Sequence, residues 1–449
     1  MPGACAAWPQ SGCAFFRRKR KMISLWQTSR SSPSPAIRRL RRTIAALVTM
    51  TLASCDSGHK GLEGTLYISI GLADNQSLNE EIIASKRKRA NISLQAFQRE
   101  HPEVSFQLQF YPEGELSEEM KVRDRSGQGP DLFLINAETA RTLRRSGLTR
   151  PFEPKAQTID EIQPAALQPL QEGTNAYTAL PFVFEPQLAC FNKTQIKQSP
   201  TTLDDLLKVS DTTLGIGLPL DVSALYWTLG SLGAQESYAK IVRSQRVDAA
   251  AREQLLHWLR WLQRANTHAG MYFYMDTQRM MDDFASGKLA WIACRSPFVG
   301  KFEKELGKDF GVALLPRGRG GRASPLSDMR VWALGTNSSA NQEHIATALA
   351  SFSLNPLAQF RISLNSDELI PVNRKVVIPV NRSNFLRTME RSHLDSPAMS
   401  ADLLTYLGDV ELQEQSDKTM VGLLYGDLQP EQALEKLLKL ADPQRKQSH

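Results

Sequence analysis

The stretch from Tyr177 to Lys193, Tyr-Thr-Ala-Leu-Pro-Phe-Val-Phe-Glu-Pro-Gln-Leu-Ala-Cys-Phe-Asn-Lys, restricts the fold of this chain more than any other. β-Branched and aromatic side chains crowd it and two prolines interrupt it, which rules out a helix. Its length suits a segment that leaves one domain and enters another while extended. The expectation is an interdomain strand.

A chain of 449 residues has room for two or three such domains. Its formal charge of +7 invites a nucleic-acid or membrane-surface reading. Position removes that reading: residues 1–54 hold ten Lys/Arg and no Asp/Glu, leaving 44 basic against 47 acidic residues, net −3. The basic signal belongs to a leader, in which Arg38-Arg39-Leu40-Arg41-Arg42 precedes an apolar run from Thr43 to Leu52 and then Ala53-Ser54-Cys55. Positive charge, a short apolar run and small residues are the parts of a signal peptide. The run falls short of the roughly 20 apolar residues that span a bilayer. Translation starts at either Met1 or Met22, since residues 1–21 resemble no export signal.

Beyond the leader, Leu66–Ile70 is an apolar run, Ser77-Leu-Asn-Glu80 has capping-box spacing, and Val104, Phe106, Leu108 and Phe110 alternate with polar neighbours. Strand, helix, strand is what a parallel sheet with helical crossovers requires. The run Lys86-Arg-Lys-Arg89 reads as a solvated helix face. Gly129-Pro130 launches a buried strand from Asp131 to Ile135. Asn136 and Glu138 then stand where open α/β sheets bind ligands, although a helix cap and a first-turn carboxylate explain them equally well. Leu214–Leu220 reads as a strand with Asp221 at its carboxyl end, and Ala249–His268 as an amphipathic helix whose tryptophans belong to the core. Arg317-Gly-Arg-Gly-Gly-Arg322 lacks the Lys-Ser/Thr of a P-loop and reads as a mobile surface loop. Cys190 and Cys294 lie in apolar runs, as a disulfide or as two buried thiols.

Four segments, in chain order, resemble the bacterial extracellular solute-binding proteins, the maltose-binding-like family. They are Gly129-Pro-Asp-Leu-Phe-Leu-Ile-Asn136 with Ser146-Gly147-Leu148; Leu180-Pro181, Glu185 and Cys190-Phe191-Asn192-Lys193; Phe284 with Gly287-Lys288 and the strand to Ser296-Pro297-Phe298; and Ser324–Gly335. Leu369-Ile-Pro-Val-Asn373 matches a third crossing between lobes. The resemblance implies a two-lobed α/β fold, each lobe a mostly parallel sheet flanked by helices, joined by three hinge crossings. Lobe I would take residues 65–183 and 331–373, and lobe II residues 184–330 and 374–449, after a leader at 1–54 and a tether at 55–64. It also implies ligand contacts. Glu185 matches the hinge carboxylate, and Asp221 the position of an acidic sugar-binding residue, which an N-cap explains almost as well. Phe298 replaces the stacking tryptophan of Gly-Pro-Trp. Ser327-Asp328-Met329 stands where the family has Gly-Gly-Trp, with Asp328 and Arg330 either facing or flanking the cleft or forming a salt bridge across the hinge.

Leu-Ala-Ser-Cys also resembles a bacterial lipobox, which implies acylation of Cys55, with Asp56 as an inner-membrane retention signal; a plain signal peptide with a chance cysteine is the alternative. No Gly-x-Ser-x-Gly, His-Glu-x-x-His or Cys-x-x-Cys is present and the seven histidines are scattered, so a binder is expected rather than an enzyme. The implied function is capture of a small polar solute, a sugar or sugar-like compound, for ABC permease subunits in the inner membrane. The protein is expected to be a periplasmic lipid-anchored monomer with no cofactor, metal or nucleic-acid partner. A receptor reporting to a membrane sensor and an enzyme acting on cell-envelope glycans are the alternatives.

Overall fold

The computed structural model describes residues 61–72, 80–210, 214–365, 369–397 and 399–440. The leader, Cys55, Asp56 and all of the capping box except Glu80 lie outside them. No described helix is long and apolar enough to cross a membrane.

The strands in chain order are β1 Gly64–Leu72, β2 Val104–Pro112, β3 Leu132–Asn136, β4 Thr149–Arg150, β5 Leu180–Asn192, β6 Gly215–Pro219, β7 Met271–Tyr274, β8 Leu289–Arg295, β9 Phe310–Ala313, β10 Ser327–Gly335 and β11 Ile370–Pro371. The helices used below are α1 Glu80–Glu100, α2 Ala137–Arg145, α3 Val222–Ser231, α4 Ala249–Ala265, α5 Thr277–Ala285 and α6 Val410–Leu424.

The stretch that organises the sequence also organises the sheet, whose order is β2-β1-β3-β10-β5-β8-β6-β7. β5 runs through the middle: its first half pairs antiparallel with β10, and Gln187–Phe191 pair antiparallel with β8. The outer strands are parallel, β2-β1-β3 at one end and β8-β6-β7 at the other. The chain is thus mixed α/β, as expected, with its antiparallel pairs concentrated around β5. β11 also lies on β5, opposite Val183 and Phe184, so the third crossing predicted at 369–373 meets the first. Cys190 and Cys294 form a disulfide between β5 and β8, with Cα atoms 5.8 Å apart and both residues buried.

Two apolar clusters fill the faces. One gathers Leu66, Phe97, Phe133 and Trp332 and continues through Leu188 and Cys190 of β5 to Phe284, Phe302 and Phe310. The other is built on Trp227, Tyr238, Trp258 and Trp291. Trp258 and Trp261 of α4 are buried, as the amphipathic pattern predicts.

The Arg317–Arg322 loop departs from expectation. Its arginines are exposed, but its glycines are seated on the end of α3, where Gly320 N donates to Ser231 O at 3.0 Å. A Cβ at Gly318 would collide with the Ser231 carbonyl, and one at Gly320 with the backbone of Gly233. Glycine is needed here for close backbone approach, not for mobility.

Candidate functional site

Parallel strands deliver their carboxyl ends to one side of a sheet, and at β1 and β3 a single side chain from β10 gathers those ends. Arg330 Nη1 donates to Glu113 Oε2 at 3.0 Å and to Asn136 Oδ1 at 2.7 Å. Its Nη2 donates to the carbonyls of Gly71 at 2.7 Å and Leu134 at 2.8 Å. Glu113 returns the connection by accepting from Asn136 N at 2.7 Å. A Cβ on Gly71 would strike the Glu113 carboxylate, which would have to shift from its bonds to Arg330 and Asn136 to make room. Arg330 and Glu113 are both buried. Burial works against the Arg330 charge, but the carboxylates of Glu113, Glu185 and Glu138 outweigh it and hold its pKa above the usual guanidinium value.

This settles the geometry of several expected residues. Asn136 occupies the N-cap position of α2 without capping it, because its side chain is turned to Arg330. Glu138 is half-buried in the first turn of α2, within the field of Arg330. Asp328 is buried and ion-paired with Arg295 at the end of β8, a bridge between the two halves of the sheet. Of the two open readings for Asp328 and Arg330, an ion pair is realised for both, but only that of Asp328 reaches across β5.

Glu185 lies on β5 directly opposite Asp328 of β10. Like charges facing across a ladder destabilise it, and here Arg295 and Arg330 offset that repulsion. Glu185 is half-buried and, among the described residues, its side chain makes no hydrogen bond or ion pair. Two residues on, Gln187 Nε2 donates to Ala224 O of α3 at 2.7 Å, while its buried Oε1 has no partner among the described residues.

Two further expected contacts have structural partners of their own, and for Asp221 the N-cap reading is realised. Asp221 is the N-cap of α3, its Oδ1 accepting from Ala224 N and Ser223 Oγ, both at 2.6 Å. Phe298, which stands at the position of the stacking tryptophan, is only 9% exposed and belongs to the first apolar cluster. It ends the one-turn helix Ser296–Phe298, and that turn directs the ring inward.

Glu113, Arg295, Gln187 and Asp417 were not singled out from the sequence. Asp417 of α6 accepts from Val222 N at 3.2 Å, beside Asp221. Burial first, then the Asp221 charge, push its pKa up to about 7. Glu113 had a usable signal, since it follows the end of a predicted parallel strand. Arg295 immediately precedes a family motif.

The sequence matches the family described as bacterial extracellular solute-binding protein over residues 83–359, more than half of the chain. A maltotriose-binding protein of Pyrococcus abyssi is 28% identical over 107 residues, a stretch spanning 23% of either chain. Among solved structures, the GacH receptor of Streptomyces glaucescens is similar with TM-score 0.69 and 17% identity, covering 86% of this chain and 98% of that one. An ABC transporter solute-binding protein from Thermotoga lettingae gives TM-score 0.65 at 17% identity, covering 85% and 99%. Such identities speak to the fold, which is that of maltose-binding-like periplasmic proteins; the family match carries the assignment. The chain belongs to the bacterial extracellular solute-binding protein family.

Proposed function

We propose that this chain is the solute receptor of an ABC importer, that it binds a sugar or sugar-like compound, and that it closes on the ligand about the β5, β10 and β11 crossings. In this reading lobe I comprises residues 65–183 and 331–373, and lobe II residues 184–330 and 374–449. Cys55 carries a lipid anchor that keeps a monomeric receptor on the periplasmic side of the inner membrane, beside its permease.

The observation that carries the reading is Glu185. In a shared strand whose charged neighbours are already paired, this carboxylate is half-buried and uncommitted, available to accept from a ligand hydroxyl. Glu138 is proposed as a second contact, with Asp328 at the rim. Arg330 and Asn136 shape the floor, Asp221 holds the wall through α3, and Phe298 supports it from behind. The relatives support the ligand class: one is named for maltotriose, and two similar structures hold acarbose and α-D-tagatose.

Calorimetric titration with maltotriose, α-D-tagatose and acarbose tests the proposal, alongside mass spectrometry of small molecules retained on purification. Glu185→Gln should weaken binding by roughly 10- to 150-fold, the equivalent of about 1.5–3 kcal/mol for a hydrogen bond to a charged group. An unchanged affinity would remove Glu185 from the site. No retained solute and no binding of any of the three sugars would overturn the sugar-receptor reading.

A further inference from the structure

β7 ends the sheet order, so among the described residues one of its edges has no partner strand. Gly270 O accepts from Ile216 N, and Tyr274 O from Leu220 N, which turns the backbone groups of the intervening Phe273 away from β6. Along that open edge lies a cavity of about 340 Å³. Its floor is apolar, made by Leu220, Met271 and Leu424, all buried. Its mouth carries two rings that the protein leaves in water, Tyr272 at 48% and Tyr425 at 71% exposure.

Polar groups line the remaining wall. Tyr274 donates its hydroxyl proton to Asp283 Oδ2 at 3.1 Å, and Lys288 Nζ holds Asp283 Oδ1 at 2.7 Å. With its proton committed, the Tyr274 oxygen can only accept. Arg279, exposed at the rim, can only donate. Of the lining residues Asn266 is neutral and the Arg279 charge is balanced by that of Asp283, so the wall favours neither an anion nor a cation. The size falls at the lower end of the roughly 300–1,000 Å³ of small-molecule pockets.

We propose that this groove is a second carbohydrate site, separate from the Arg330 web, that takes one neutral pyranose ring. An apolar floor and two exposed tyrosine faces suit the C–H faces of a sugar, and a committed phenol beside a guanidinium offers an acceptor and a donor to neighbouring hydroxyls. A receptor with such a groove can hold a sugar on its outer edge while the Glu185 site is empty or full. The inference does not depend on Glu185 being a ligand contact.

Ligand-detected saturation-transfer NMR on the full chain with methyl α-D-glucoside, together with crystals soaked in the same glucoside, tests it. Transfer in solution and density against Tyr272 and Tyr425 are expected. The Tyr272→Ala/Tyr425→Ala double variant, whose lost rings are exposed, should bind this probe about tenfold more weakly with an unchanged melting temperature, whereas Glu185→Gln should leave binding at the groove unchanged. The proposal fails if the glucoside is found only at the Glu185 site, if the double variant binds as well as the parent, or if density appears without transfer in solution.

Discussion

At the carboxyl ends of β1 and β3, one guanidinium satisfies two carbonyls, an amide oxygen and a carboxylate. At the carboxyl end of β6 two carboxylates, Asp221 and Asp417, share the first turn of α3, and helix N–H groups stand in for a cation. The two arrangements respond oppositely to burial. Arg330 keeps its charge despite burial because carboxylates face it, whereas burial and the charge of Asp221 push Asp417 up to about 7. The first site is therefore expected to be fixed in charge and brittle to substitution. The second is expected to be tolerant of substitution and sensitive to pH.

The brittle half should show the largest effect. Arg330→Met leaves Glu113 buried without its cation, and breaking a buried pair from one side costs about 3–5 kcal/mol. Denaturant unfolding of Arg330→Met and of Arg330→Met/Glu113→Gln measures it. The second change, which removes the stranded charge, should recover part of the loss. A loss below about 1 kcal/mol for Arg330→Met would show that the web is not the rigid end of the comparison.

Between the two sites lies β5, tied to β8 by the Cys190–Cys294 disulfide, which closes a loop spanning 104 residues. Replacing both cysteines by alanine should cost about 2–4 kcal/mol, chiefly by releasing the unfolded chain. Because the bond sits in the β8 half of β5, the double variant should lower the unfolding midpoint while leaving the effect of Arg330→Met additive to within about 0.5 kcal/mol. Strong coupling would mean that the halves do not fail independently.

How much of this was legible in the sequence differs along the same line. β5 could be read because its β-branched, aromatic and proline content excludes a helix, and Asp221 as a cap because one residue and its next three suffice to define that motif. The Arg330 web could not be read, because its partners come from residues 71, 113, 134 and 136 and meet only after β1, β3 and β10 are in register. β10 also carries a register shift against β5 between Arg330 and Val331, which no local pattern announces. Phe298 shows the same limit. Its motif placed it near a strand end, but the direction of its ring depends on a one-turn helix that a three-residue sequence does not dictate.

The Asp221–Asp417 pair supplies a test of sign, and the smallest change expected from it is that of Asp221→Asn. The folded pKa of Asp417 stands at about 7 against 3.8 for an ordinary aspartate. Below pH about 4 both folded and unfolded chains hold the proton, and the group contributes nothing to pH dependence. Between about 4 and 7 the unfolded chain releases the proton while the folded one retains it, so stability falls as pH rises and levels off above about 7. Asp417→Asn, which keeps an oxygen to accept from Val222 N, should therefore raise the melting temperature at pH 8 and leave it unchanged near pH 4. Asp221 separates charge from capping. Asp221→Ala removes the cap of α3 and should cost about 0.5–2 kcal/mol near pH 4 and less at pH 8, where it also removes the charge facing Asp417. Asp221→Asn retains a good cap and lifts the lesser of the two causes of the Asp417 shift, so it should be close to neutral near pH 4 and mildly stabilising at pH 8. Melting curves at both pH values decide the matter: if Asp221→Asn and Asp221→Ala lose the same amount at pH 8, the carboxylate of Asp221 matters for more than its cap, and the view of this strand end as the tolerant one fails.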